Sequence, residues 1–260
     1  MNLFLAKKVL SYIFSAKSTL KIESDFASDI IFNSFKTSIK KEDFCIIEKR
    51  RAELELDERE IEVEDFGAGS KVIKSNKRVV KNIAKSSLSP KKYSQLLYRL
   101  AKQTQAKTIL EMGTSLGISG AYLAKANPET QFITLEGSQN IAKIAQETFD
   151  FCNVQNAEIV VGNFKETLES SLEKLEKIDI AFIDGNHQKD ATIEYFEKIY
   201  PYCTENSVLI FDDINWSKGM FEAWHKIIAD KRVSQSVNIG KLGIVFLKQD
   251  AEKNNYIIKY

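Results

Sequence analysis

Two apolar runs in this 260-residue chain end in acidic residues. FIDGNH places Asp184, Gly185, Asn186 and His187 at the close of IDIAFI, and FDDINWS places Asp212 and Asp213 after SVLIF. Carboxylates gathered this way can hold a hard cation through oxygen, and an imidazole with an unperturbed pKa of ~6.5 beside them can move a proton. The chain has only two histidines, so one lying at such an end is a candidate base. The other, His225, sits between Trp224 and Lys226 in a helical stretch and reads as a surface or packing residue. Trp216 could line a pocket, although tryptophan is more often a packing anchor.

A second group lies in LEMGTSLGIS, which contributes Glu111, Gly113, Thr114, Ser115, Gly117 and Ser119. A loop of glycine and small residues lets backbone approach a ligand closely, and a following helix points its amide-rich end at the same place. Glu136, followed by Gly137, closes QFITLE, where an acid can accept hydrogen bonds from both ribose hydroxyls of an adenosine. Dinucleotide folds want G-x-G-x-x-G to seat a pyrophosphate, whereas here Gly113 and Gly117 are four apart and Glu111 precedes them. A carboxylate there repels a pyrophosphate but suits a ligand with an ammonium and a sulfonium. In VGNF, Asn163 could bond an adenine edge while Phe164 lies against the ring.

The elements that must position these residues follow from periodicity. From about residue 105, apolar β-branched runs alternate with amphipathic stretches, which predicts parallel strands covered by helices on both faces. The strands are KTILEM, QFITLE, AEIVVG, IDIAFID, SVLIFD, VSQSVNIG and LGIVFLK, the last two forming an antiparallel hairpin. Helical faces carry Ile141, Ile144, Ala145 and Phe149, and Met220, Trp224, Ile227 and Ile228. The fold class is therefore α/β, a Rossmann-like, mostly parallel sheet of seven strands over 105–260, preceded by a mainly helical extension over 1–104. In that extension Ser89-Pro90 predicts a helix start, with the serine hydroxyl as cap and Leu96, Leu97 and Leu100 on one face. IEVEDFGAGS reads as a short strand that breaks at Gly67 and Gly69.

With 43% hydrophobic and 28% charged residues, the composition is that of a folded, soluble protein rather than a disordered one. Lys7 and Lys8 interrupt the first apolar run, which argues against a secretory signal, and no run approaches the ~20 apolar residues of a membrane span. Cys45, Cys152 and Cys203 are far apart and fall in no CxxC pair, which fits a reducing, cytoplasmic setting. Charge is balanced overall but uneven: acids dominate from Glu42 to Asp65, and no acid occurs from Ser70 to Leu110 among many lysines and arginines. That basic run, 71–107, either faces phosphates, or packs beside the acidic segment or forms solvated helix faces, and the near-neutral total favours the latter pair over phosphates.

From about Lys107 to Lys248 the chain resembles the class I S-adenosylmethionine-dependent methyltransferases, most closely the small-molecule O-methyltransferases. LEMGTSLGIS, the strand-end Glu136, FIDGNH and FDDINWS look like the set in catechol-type and antibiotic or sugar O-methyltransferases. The last two, with DFGAGS, are also similar to an uncharacterised bacterial group. The resemblance implies S-adenosylmethionine at Glu111, Gly113, Thr114, Ser115, Gly117, Ser119, Glu136, Gly137, Asn163, Phe164 and Asp184. It implies O-methylation of a small-molecule hydroxyl with Asp184 and His187 as catalytic residues. Mg²⁺ or another divalent cation would sit on Asp184, Asp212 and Asp213, since adjacent strand ends lie ~5 Å apart. Asp213 stands where catechol-type enzymes carry asparagine, as some antibiotic-pathway enzymes do. The extension would serve as a lid or homodimer element. Two other readings are an RNA (tRNA) hydroxyl methyltransferase using the basic run, and a non-catalytic adenosyl-binding protein. D-G-N-H in place of N-P-P-Y argues against amino-directed nucleic-acid methylation.

Overall fold

The structure, a computed structural model, describes residues 3–18, 26–64 and 76–260. DFGAGS and the basic positions Lys71 and Lys74 lie outside the described residues. Up to residue 103 the named elements are α1 (Leu3–Ser15), α2 (Phe26–Lys36), α3 (Cys45–Leu54), β1 (Glu60–Glu62), β2 (Lys77–Val79), α4 (Val80–Ser87) and α5 (Lys91–Gln103). The chain forms two compact units, Ser34–Leu175 and Met1–Asn33 with Glu176–Tyr260. No helix of the described residues is long and apolar enough to cross a membrane.

In the unit Ser34–Leu175, β3 (Thr108–Met112), β4 (Gln131–Glu136) and β5 (Ala157–Val161) run parallel, with Thr108 opposite Gln131 and Phe132 opposite Ala157. Each strand is followed by a helix: α6 (Ile118–Ala124), α7 (Gln139–Phe151) and α8 (Phe164–Leu175). The expected apolar face of α7 is the buried one, with Ile141, Ile144, Ala145 and Phe149 all in the core. Burying each such large side chain stabilises the fold by about 1.5–3 kcal/mol. Gly117 begins α6 in the left-handed region at φ 82°, and a Cβ there would lie 3.1 Å from the Ala145 carbonyl oxygen. A Cβ on Gly120 would lie 2.9 Å from Cζ of Phe149. These glycines thus let α6 and α7 approach closely, a packing role beside any ligand role.

The helix predicted from Ser89-Pro90 is α5, with Leu96, Leu97 and Leu100 buried as expected. Its start differs: Pro90 is the boundary residue and no side chain caps it. Ser89 thus lies one position before the boundary, and its carbonyl accepts from Arg51 Nη1 of α3 at 3.0 Å. β1 pairs antiparallel with β2, and the acidic and basic segments meet across this ladder. Lys77 pairs with Glu60, Lys81 with Glu58 and Lys91 with Glu48. Exposed pairs like these add little stability each, but they turn several cations of the basic run towards acids of the same unit. A more buried clamp ties α3 to α7: Arg50 donates to Thr148 Oγ1 at 3.2 Å and to Glu147 Oε2 at 3.1 Å, and Arg59 joins Glu147 to Asp57.

The other unit holds β6 (Ile178–Ile183), α9 (Lys189–Ile199), β7 (Cys203–Phe211), α10 (Lys218–Ala229), β8 (Gln235–Asn238), β9 (Gly243–Phe246) and β10 (Asn254–Ile257). β6 and β7 are parallel, and β9 runs antiparallel to both β7 and β8. The expected hairpin is thus present. β10, which no apolar run announces, adds a parallel strand beside β8. The Tyr12 hydroxyl of α1 donates to the Ile258 carbonyl at 2.7 Å just after β10. Ser217 caps α10, accepting from Met220 N at 3.1 Å, so neither Asp212 nor Asp213 has that task.

The close approach of α6 to α7 gives a direct test. Gly120→Ala should destabilise the protein by about 1–3 kcal/mol through overpacking against Phe149. Shortening the neighbour in Gly120→Ala/Phe149→Leu should cost less than the sum of the two single changes. Urea unfolding measures both, and simple additivity would refute the packing role.

Candidate functional site

β3 delivers the glycine loop in a fixed shape. Gly113 and Thr114 both donate from their backbone N–H to the Leu135 carbonyl of β4, at 2.9 and 3.1 Å. The fully buried Thr114 hydroxyl meets Thr134 Oγ1 at 2.7 Å. Ser115 adopts φ 49°, uncommon for a residue with a side chain. Its N–H donates to Glu136 Oε2 at 2.9 Å, and its hydroxyl lies 2.8 Å from that of Ser87 in α4. The second Glu136 oxygen, Oε1, accepts from Ser138 N at 3.0 Å, across Gly137. One carboxylate at the end of β4 therefore fastens the turn after β3 and its own following turn. The Ser87 contact was not foreseen, since nothing in a helical serine singles it out.

Glu111 behaves differently from the carboxylate expected to face a ligand. It is fully buried, its Oε2 accepts from the Thr134 hydroxyl at 2.7 Å, and its Oε1 has no hydrogen-bond partner among the described residues. Burial pushes its carboxyl up to about 7, against hydrogen bonds from Ser119 and Thr134 and reinforced by the nearby charge of Glu136. At neutral pH it is thus partly protonated, an internal hydrogen-bonding group beneath the loop. Asn163 caps the turn into α8, its Oδ1 accepting from Lys165 N at 3.0 Å and its carbonyl from Glu166 N at 2.8 Å. Phe164, the first residue of α8, is partly exposed.

The acidic pair occupies the other unit. Asp184 follows β6, and its Oδ1 lies 3.7 Å from His187 Nε2. Asn186, between them at φ 51°, donates from Nδ2 to the Tyr195 hydroxyl at 3.0 Å. Asp212 and Asp213 follow β7, Asp213 at φ 52°. Lys241, in the turn between β8 and β9, reaches both: its ammonium bonds Asp212 Oδ2 and lies 3.3 Å from Asp213 Oδ1. The turn is held there by Ile214 N donating to the Lys241 carbonyl at 3.2 Å and by Asn215 Nδ2 donating to the Gly240 carbonyl at 2.7 Å. Sequence reasoning missed this lysine, because a lysine in a hairpin turn ordinarily points to water.

The charges explain one another. Burial, then the Asp212 carboxylate within hydrogen-bonding reach, pushes Asp184 well above the usual carboxylate range. Burial and Asp212 also raise Asp213, while Lys241 and His187 pull it back. Burial works against the Lys241 ammonium, but Asp212, Asp184 and Asp213 outweigh it and hold lysine above its ordinary range. His225 is exposed, with its ring 3.9 Å from that of Phe221, as a packing residue would be. Trp216 is exposed.

Because the Glu111 carboxyl is raised from 4.5 to about 7 on folding, the folded state binds its proton more tightly than the unfolded chain. Its contribution to stability is therefore present below pH 4.5 and is lost as pH rises through 7, a difference of about 3 kcal/mol. Glu111→Gln should remove that part of the decline between pH 5 and 8 in urea unfolding. An equally steep decline in the variant would contradict the assignment.

Residues 110–214 match a family described as a methyltransferase domain. A catechol O-methyltransferase of Niastella koreensis is 30% identical over 131 residues, covering 49% of this chain and 58% of the relative. An uncharacterised protein of Acanthamoeba polyphaga mimivirus is 41% identical over 56 residues, 20% of this chain and 25% of that protein. The chain thus covers less than two thirds of either curated relative. Among solved structures, the Bacillus cereus O-methyltransferase in complex with S-adenosylhomocysteine superposes with a TM-score of 0.57 at 20% identity, over 83% of this chain and 95% of that one. A Podospora anserina methyltransferase, also bound to S-adenosylhomocysteine, gives 0.59 at 16% identity over 89% and 99%. Over residues 110–214 the chain is thus similar to a methyltransferase domain, and it shares the Rossmann-like fold of these two solved methyltransferases.

Proposed function

We propose that the protein is an S-adenosylmethionine-dependent methyltransferase that methylates a hydroxyl oxygen of a small molecule. The observation that carries this reading is the Glu136 carboxylate, fixed at the end of β4 by the amides of Ser115 and Ser138. A carboxylate fixed at a strand end by backbone donors is preorganised to accept from the ribose hydroxyls of the cofactor. Gly113, Thr114, Ser115, Gly117 and Ser119 shape the wall against which the methionine part lies. Gly137 follows Glu136 in the same turn, and Asn163 and Phe164 offer an edge and a face to adenine. Glu111 supports the loop from below.

The chemical step transfers the methyl group from sulfonium sulfur to the acceptor oxygen by in-line displacement. The C–S bond electrons remain on sulfur as S-adenosylhomocysteine, and the hydroxyl proton must leave. His187 takes that proton, and Asp184, 3.7 Å from its Nε2, orients the imidazole. Alignment of the two reactants supplies much of the rate. A resident divalent cation does not fit the acidic cluster, because the Lys241 ammonium already bonds Asp212 and faces Asp213, so no step is assigned to a metal. A cytoplasmic setting agrees with Cys45, Cys152 and Cys203 lying far apart in the sequence and in no CxxC pair.

Two variants separate binding from chemistry. Glu136→Ala should weaken S-adenosylmethionine binding by about 2–4 kcal/mol in calorimetry, the value of two charge-assisted hydrogen bonds. His187→Ala should leave that affinity intact while slowing turnover ~10²-fold or more. Unchanged affinity in the first variant would defeat the cofactor assignment, and unchanged turnover in the second would defeat the base.

A further inference from the structure

We propose that the Lys241 ammonium is the resident cation of the Asp184, Asp212 and Asp213 cluster and takes the place of a divalent metal. The inference deepens the reading of these carboxylates as part of the reacting site, but it concerns their charge balance and not the methyl donor.

Three carboxyl groups converge here with one internal cation. Asp212 is 2% exposed; its Oδ2 is bonded by Lys241, and its Oδ1 has no hydrogen-bond partner among the described residues. Asp213 Oδ1 faces the same ammonium at 3.3 Å, and Asp184 lies close enough to feel its charge. A hard divalent ion would need these same oxygens at ~2.0–2.6 Å in a nearly complete oxygen shell. An ammonium is a compact point charge with three donors, and this one comes from a turn pinned by Ile214 N on the Lys241 carbonyl and by Asn215 on the Gly240 carbonyl. The backbone from which the lysine reaches is therefore fastened to the loop that carries Asp212 and Asp213. No group of three or more His, Cys, Asp or Glu side chains among the described residues is arranged to hold a metal. An ammonium and a dication cannot share these oxygens without strong repulsion, so the lysine excludes the metal.

Removing the ammonium while keeping its length should expose a metal site. An opposite or like charge a few ångströms away is worth one to three decades in an ionic equilibrium, so Lys241→Met should bind Mn²⁺ ~10- to 10³-fold more tightly than the wild type. Electron paramagnetic resonance of free Mn²⁺ reads this directly, in the absence of cofactor and acceptor. The wild type should leave the free-ion signal undiminished at sub-millimolar Mn²⁺, Lys241→Met should take up about one ion per chain, and Lys241→Met/Asp213→Asn should lose it. Should Lys241→Met fail to fold unaided, refolding with and without Mn²⁺ measures the same quantity, and only rescue by the ion agrees with the proposal. Wild-type uptake of one Mn²⁺ that Asp213→Asn abolishes, or a folded Lys241→Met that binds no better than wild type, would overturn it. Since no methyl donor is present, loss of the methyltransferase reading would leave this result standing.

Discussion

Glu136 accepts one backbone N–H on each carboxylate oxygen, from Ser115 and from Ser138, and the ordering of the glycine loop depends on that double attachment. Amide-to-carboxylate bonds are charge-assisted and roughly twice as strong as neutral ones. They hold Ser115 at φ 49°, a conformation that a residue with a Cβ seldom keeps without support. Beneath them, the Thr114–Thr134–Glu111 chain of hydrogen bonds fills the space with polar groups that are almost fully satisfied. The loop is thus shaped before any ligand arrives, which lowers the ordering cost of binding.

The acidic cluster in the other unit works by balancing charge, not by geometry alone. Three neighbouring carboxylates buried together would repel one another. The ammonium of Lys241 and the raised proton affinity of Asp184 relieve that repulsion from two sides. His187 then stands beside an acid whose protonation is tied to the whole cluster rather than to itself. Positive φ at both Asn186 and Asp213 shows where the backbone turns sharply to bring these side chains in.

Period and composition made the strands legible, because parallel strands buried on both faces must be continuous apolar runs. β3 to β9 are the seven runs read from the sequence. β10 was not, since Asn254-Asn255-Tyr256-Ile257 is half polar and pairs only at the sheet edge. The cap expected of Ser89 is absent because α5 begins one residue later than the Ser-Pro pair suggests, leaving Pro90 at the boundary position. The acidic and basic segments were legible as a pair, and Lys77, Lys81 and Lys91 do meet acids of the earlier stretch. The glycine loop and Glu136 could be read because strand ends and backbone turns leave a sequence pattern. Glu111 could be found but its burial could not, and Lys241 could not be found, because its role arises from a hairpin turn meeting a distant loop.

Binding of S-adenosylmethionine by the shaped loop and Glu136 can be followed on the reacting methyl group itself. S-adenosylmethionine labelled with ¹³C in its methyl group reports this directly in a ¹H–¹³C correlation spectrum. Stoichiometric protein should broaden and shift the methyl signal, S-adenosylhomocysteine should restore the free signal, and NAD should not. A methyl signal that stays sharp and unshifted with folded protein present would contradict that binding.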